Sequence, residues 1–350
     1  MKKVFEALRF AFLCPPEKPP SSGRKVAIVG GGPAGLIVAG YLACRGHEVT
    51  IFDKLPEVGG LMYFVIPEIR VSSKRVLAGI EELRKIFGVE IVTGTKVVGG
   101  EVPRDEEDHL VKKVLDLEEI VRDFDAVVIA TGTWRTKRLN VPGEDAEGVY
   151  TALDLLFRIK ASRLGYLDIR PPELYGRRIA IAGGGLMALD VAMEAVYEGA
   201  SEVTIFYEAT LSEAPAGEYA IRSLSAKGVR FVERSKIVGI LTENGVAKGI
   251  EVARCQPPSY EPVPGTSFVV DVDIVVNAID VEPTPPFPNG YMGMKLDDRG
   301  RIVVDEYHRA LPPKIFATGD VVLGPSKLGL AIRDALETAR IVDRFLARGM

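Results

Sequence analysis

Two glycine-rich turns, each leaving a short apolar run and each opening a helical pattern, constrain this chain more than any other feature. The first is Val26-Ala27-Ile28-Val29 leading into Gly30-Gly31-Gly32-Pro33-Ala34-Gly35. The second is Ile179-Ala180-Ile181-Ala182 leading into Gly183-Gly184-Gly185-Leu186-Met187-Ala188. An apolar run of this length reads as a buried parallel strand, and a strand, glycine turn and helix in succession form the start of a dinucleotide-binding unit. The first glycine permits the tight turn, the second lets the backbone approach a pyrophosphate, and the third position keeps helix and strand close. The diphosphate then lies on free amides at the helix N-terminus, where the helix dipole favours negative charge. One such turn is a weak signal. Two in tandem, each followed by a strand that ends in an acid, predict two bound dinucleotides.

At 350 residues the chain has room for about two domains. Its net charge of −4 and the lack of a dense Lys/Arg run argue against nucleic-acid binding. No stretch reaches the roughly 18 consecutive apolar residues of a membrane span, and the start of the chain lacks the pattern of a secretory signal. These features predict a cytoplasmic protein. Cys14, Cys44 and Cys255 are scattered, as are His47, His109 and His308. That scatter predicts neither a disulfide framework nor a C-x-x-C redox pair nor a metal site. Cys44, late in the first fingerprint helix, reads as a small buried hydrophobe.

The pattern along the chain predicts a domain inserted within a domain. An amphipathic helix is expected over 3–13, with Val4, Leu8 and Phe12 on one stripe, followed by a proline-rich linker that ends near residue 23. An N-terminal docking element, on the protein's own body or on a partner, follows from that stripe. The first dinucleotide domain is assigned to 24–145 and 283–350, and the second to 146–282. Val141-Pro142-Gly143-Glu144-Asp145 and Glu282-Pro283-Thr284-Pro285-Pro286 serve as hinges. Strands at 229–233, 236–241 and 246–253 read as a meander, with Asn244-Gly245 a hairpin turn. The tail, with a strand at Ile315–Ala317 and a helix over 327–347, belongs back against the first domain. The fold class is α/β, with two Rossmann-like, three-layer ββα domains.

Further markers are Gly59-Gly60-Leu61 with Ile66-Pro67-Glu68-Ile69-Arg70, Ala130-Thr131-Gly132, Val141-Pro142-Gly143-Glu144, and Phe316-Ala317-Thr318-Gly319-Asp320-Val321-Val322 with Gly324-Pro325. With the two glycine turns, and from about Lys25 to the C-terminus, the chain resembles the two-dinucleotide-binding-domain flavoprotein reductases. Within them it is most similar to the glutamate synthase small (beta) subunit and the NADH-dependent ferredoxin:NADP oxidoreductase subunits. The resemblance implies FAD held by Gly30, Gly32, Pro33, Ala34 and Gly35. It places Asp53, followed by Lys54, on the adenosine ribose, and Gly60 and Leu61 beside the flavin. Thr131 and Gly132 would close over the adenine half. Gly319 and Asp320 would take the ribityl chain, and Leu328 would face the pyrimidine edge. For the nicotinamide nucleotide it implies Gly183, Gly185, Leu186, Met187 and Glu208.

Three departures from that family bear on function. Only about two dozen residues, with one cysteine, precede the first strand, where the family carries a long iron–sulfur region. Leu186-Met187-Ala188-Leu189-Asp190 stands where the family has a polar residue after the glycines. Tyr207-Glu208-Ala209 replaces a Tyr-Arg-Arg clamp for the 2′-phosphate of NADPH. A carboxylate at 208 would accept from ribose hydroxyls, so NADH is expected ahead of NADPH.

The function expected is an FAD-dependent NAD(P)H oxidoreductase that passes electrons to an external acceptor, a partner redox subunit or a ferredoxin-like protein. The alternative is a non-catalytic or electron-routing FAD-binding subunit of a larger complex. A disulfide reductase is disfavoured by the missing cysteine pair. A homo-oligomer is compatible with the sequence. No side chain is assigned as nucleophile, base or metal ligand, because in such enzymes the cofactors carry the chemistry.

Overall fold

The computed structural model describes residues 7–11, 14, 19–166, 171–311 and 313–348. It divides into two compact units, one formed by Met1–Arg135 with Val281–Met350 and the other by Thr136–Asp280. The second unit is an insertion in the first. The crossing into it lies ahead of the predicted hinge Val141–Asp145, and the reason is local. Pro142 O accepts from Ile240 N at 2.8 Å, and Val141 packs on the insertion's own core. Arg138 pairs with Asp145 at 2.8 Å within the same unit.

The sheet of the first unit has six strands. In spatial order they are Arg309–Leu311, Ile315–Ala317, Ala126–Ile129, Lys25–Val29, Glu48–Phe52 and Glu90–Val92. All neighbours are parallel except the first pair. Val29 lies beside Phe52 on one side and Ile129 on the other. Strand order therefore reverses at Lys25–Val29, and the crevice at such a reversal, outside the carboxyl ends, is where open α/β sheets bind ligands. The central strands Lys25–Val29, Ala126–Ile129 and Ile315–Ala317 have buried, apolar interiors, as a parallel sheet covered on both faces requires. Helix Pro33–Cys44 packs against Leu328–Arg348, so the tail completes this unit as the sequence predicts.

In the second unit five parallel strands run in the order Arg230–Glu233, Glu202–Tyr207, Arg178–Ala182, Ile274–Asn277 and Val149–Thr151. The meander is smaller than the sequence suggests. Arg230–Glu233 joins the parallel sheet beside Glu202–Tyr207, because its half-buried Phe231 and Val232 continue the apolar surface of that sheet. Ser235–Glu243 and Val246–Gln256 form the antiparallel hairpin. Asn244 and Gly245 both have positive φ, 52° and 81°, as a two-residue hairpin turn demands.

The N-terminal expectation is partly corrected. Residues 3–6, 12 and 13 lie outside the described residues, and 7–11 are not helical. They form an irregular strap on the protein's own body. Leu8 N donates to Arg75 O at 2.8 Å, and Arg9 pairs with Glu82 at 2.8 Å. Phe10 and Ala11 are buried, and bare Gly40 and Gly79 give the strap's backbone its close seat. The same path brings Cys14 to the end of helix Pro33–Cys44, where it forms a disulfide with Cys44, the Cα atoms 5.7 Å apart. That overturns the expectation of three isolated cysteines, and Cys44 is a bridging residue rather than a buried hydrophobe. A separation of 30 residues carries no pairing signal until the strap's route is known.

Candidate functional site

The first cleft opens at the carboxyl ends of the sheet in the first unit. Gly30, Gly32, Pro33, Ala34, Asp53, Lys54, Gly60, Leu61, Thr131, Gly132, Asp320 and Leu328 all line it. Gly35 and Gly319 do not, and their roles are internal. A Cβ on Gly35 would strike Gly30 O, and one on Gly319 would lie 2.8 Å from the Ala34 Cβ. Those two glycines seat the helix on its strand and the tail on the turn.

Gly32 behaves differently. It has extended backbone, φ −69° and ψ −174°, and an added Cβ would meet no protein atom within 4 Å. Nothing in the folded chain needs glycine there, whereas close approach by a bound group would. Gly32 is also the N-cap of helix Pro33–Cys44 and offers no side-chain hydrogen bond, so the amides of Ala34 and Gly35 in its first turn have no helical partner. Two buried hydroxyls on the lining, Thr131 Oγ1 and Thr133 Oγ1, lack a hydrogen-bond partner among the described residues. Bare glycine, uncapped helix end and orphaned hydroxyls together form a cradle suited to a polar, phosphate-bearing ligand such as FAD.

Asp53 closes the strand Glu48–Phe52 and is held from two sides. Its carboxylate accepts from Gly31 N at 2.6 Å and Leu55 N at 2.8 Å. Burial pushes its carboxyl up to about 6, against the opposing pull of those two amides. A carboxylate has about four acceptor positions, so two remain for hydroxyl donors. Beside it lies a charged group of which the sequence reading named only Lys54. Lys54 reaches Asp105 at 3.0 Å and stands 5.2 Å above the ring of Trp134, the chain's single tryptophan. Lys96 reaches Asp105 at 3.1 Å and Asp108 at 2.6 Å. Burial opposes ionisation of Asp105, but the two ammonium groups outweigh it and hold its carboxyl below the ordinary range. Lys54, Lys96, Asp105 and Trp134 all line the cleft. No motif marks residues so dispersed in sequence. The lone tryptophan was the available clue.

At the other end Asp320 is raised by burial and accepts from Ser326 Oγ. Its turn is fixed from helix Leu328–Arg348, where Asp334 accepts from Thr318 Oγ1 at 2.6 Å and Gly319 N at 2.8 Å. Leu61, Met62, Ile66, Leu328 and Ala331 give this region an apolar lining. Glu68 stands just before helix Ser73–Lys85 and binds its first residue. Its two carboxylate oxygens accept from Ser73 N at 3.0 and 2.9 Å, at the start of helix Ser73–Lys85.

The second unit has its own cleft, lined by Gly183, Gly184, Tyr207, Glu208, Lys236 and Asp280 among others. Gly185, Leu186 and Met187 lie outside that lining, at the helix start. Gly185 repeats the behaviour of Gly32, with extended backbone, no side-chain cap and no protein atom within 4 Å of an added Cβ. Glu208 follows the strand Glu202–Tyr207 and is about half-exposed, with Lys236 Nζ 4.0 Å away. Among the described residues no group of acidic, cysteine and histidine side chains could hold a metal ion, and no helix is long and apolar enough to cross a membrane.

Comparison with known proteins gives these features a context. The sequence profile described as pyridine nucleotide-disulphide oxidoreductase matches residues 21–339. The NADP(+)-dependent formate dehydrogenase subunit beta of Moorella thermoacetica is 36% identical over 338 residues, which cover 94% of this chain and 45% of that protein. The glutamate synthase (NADPH) small chain of Escherichia coli K12 is 31% identical over 334 residues, covering 91% of this chain and 68% of that one. The chain thus spans about half the length of the first relative and two thirds of the second. Among solved structures, FprA of Mycobacterium tuberculosis in complex with NADPH has the same fold, with a TM-score of 0.73 at 17% identity, covering 95% of this chain and 86% of that one.

Proposed function

Because the chain belongs to the pyridine nucleotide-disulphide oxidoreductase family, with glutamate synthase small chains among its relatives, we propose that it is an FAD-dependent NAD(P)H oxidoreductase. Electrons would leave to an external acceptor or a partner redox subunit, and the setting would be the cytoplasm. The observation that carries this reading is the pair of second glycines, Gly32 and Gly185, each bare for no reason internal to its own unit.

When bound, FAD supplies acceptance of two electrons from a nicotinamide and their onward release, chemistry that no side chain here provides. The chain's part is placement. The amides at the start of helix Pro33–Cys44 would hold the FAD diphosphate, and Asp53 would accept from the ribose hydroxyls. Asp334 would keep the Gly319-Asp320 turn in register for the ribityl chain, while Leu61, Met62 and Ile66 would keep water from the flavin side.

In the second unit the amides at the start of helix Leu186–Tyr197 would hold the nicotinamide nucleotide's diphosphate. Glu208 would accept from the adenosine ribose. By itself that carboxylate favours NADH, because it also repels a 2′-phosphate. The substrate class proposed is NAD(P)H.

Absorbance of the purified or FAD-reconstituted protein, followed by anaerobic addition of NADH or NADPH, tests the reading. Flavin bands that bleach with either nucleotide are expected. Lack of flavin bands after reconstitution would remove the first site, and bands that neither nucleotide bleaches would leave an electron-routing subunit in place of an oxidoreductase.

A further inference from the structure

The strands Glu202–Tyr207 and Arg230–Glu233 run side by side and in parallel, with Tyr207 opposite Glu233. Chain leaving the second strand therefore emerges next to Glu208. Three residues on, Lys236 stands at the start of the hairpin strand Ser235–Glu243 and turns its ammonium group to the same cleft. Two other cations line that cleft, and both are committed elsewhere. Lys137 binds Asp280 at 3.1 Å, and Arg138 binds Asp145 at 2.8 Å and Glu144 as well. Lys236 differs. Its carboxylate neighbour is Glu208 at 4.0 Å, beyond hydrogen-bond reach, and both side chains are roughly half-exposed, at 41% and 48%.

Resting on the reading of this cleft as the nicotinamide nucleotide site, we propose that Lys236 is the residue that admits the 2′-phosphate of NADPH, beside an acid that would otherwise exclude it. An ammonium group has three donors and no acceptor, and at 4.0 Å it gives none of them to Glu208 as a hydrogen bond. A 2′-phosphate entering between the strand ends offers it several charged acceptors, a stronger partner than the carboxylate it now faces. With NADH, Glu208 accepts from the 2′- and 3′-hydroxyls and Lys236 tempers its charge. With NADPH, Lys236 binds the phosphate and Glu208 swings toward solvent, which its exposure permits. The two side chains act as opposed halves of one selector, and the site accepts both nucleotides.

Calorimetric titration of the full-length, FAD-loaded protein with 5′-ADP and 2′,5′-ADP isolates the selector from the redox chemistry. In Lys236→Ala the affinity for 2′,5′-ADP relative to 5′-ADP should fall about tenfold, the scale of one partly exposed charge contact. Lys236→Arg should restore the ratio, and Glu208→Gln should move it in the opposite direction. The NADPH-to-NADH ratio of kcat/KM should follow the same order. An unchanged ratio in Lys236→Ala, or equal losses for both ligands, would overturn the proposal and leave the nucleotide site standing. Failure of the unaltered protein to bind either ADP would instead overturn the nucleotide site itself, and the selector with it.

Discussion

The two glycine turns are built alike, yet the acids that follow them are held in opposite ways. Asp53 is buried and accepts from Gly31 and Leu55, so it braces the very turn that would receive a diphosphate. Glu208 is half-exposed and faces a lysine it does not bond. A preorganised, desolvated acid suits a ligand that stays. An accessible acid with an adjustable partner suits one that comes and goes. On the proposed function, the difference would separate a resident cofactor from an exchanging substrate, on architectures that share strand, turn and helix.

Substituting the two bare glycines tests this contrast most severely. Gly32→Val should lower FAD affinity by at least about a hundredfold, because its branched side chain fills the space a pyrophosphate needs. The apoprotein should melt as before, since the position is open. Flavin absorbance with a thermal melt would check both, and a variant that kept its flavin would refute the role of the turn.

The buried acid should leave a signature in pH dependence. With its carboxyl raised from 3.8 to about 6, folded Asp53 keeps a proton that the unfolded chain has released across that interval. Stability of the FAD-free protein should therefore fall as pH rises from about 4 to 6, by up to about 3 kcal/mol from this group, and be flat in it above. Denaturant titrations of Asp53→Asn against the parent should show that slope disappear. Equal slopes would mean that Asp53 is not desolvated as the geometry requires.

Gly185→Val should act on exchange alone, raising KM for the nicotinamide nucleotide about tenfold with flavin content unchanged. Loss of flavin in this variant would show that the two turns are not independent. The smallest effect belongs to the exposed acid. Glu208→Gln should change folding stability by less than about 0.5 kcal/mol in denaturant titration, as a surface substitution does.

Much of this arrangement was legible in the chain. Lys25–Val29 and Ile315–Ala317 appear where their apolar patterns predict, because buried parallel strands are near-continuous hydrophobic runs. Twelve residues assigned to the first site line one cleft, because the glycine turn fixes where strand ends meet a helix. Legibility failed where pattern is short or absent. Arg230–Glu233 looked like part of a meander, since four residues cannot say which sheet they join. The strap over 7–11 looked helical, but its place depends on bare seats at Gly40 and Gly79, far away in sequence.

The sequence by itself determined the two dinucleotide units, their nesting and the positions of Gly32, Gly185, Asp53 and Glu208, because periodicity and turn chemistry are local. Tertiary structure alone decided which charges meet. It joined Lys54, Lys96 and Asp105 beside Trp134, brought Cys14 to Cys44, placed Asp334 under the Gly319 turn and set Lys236 against Glu208. Long-range electrostatics depends on distances of a few ångströms, and spacing along a chain does not encode them until the chain has folded.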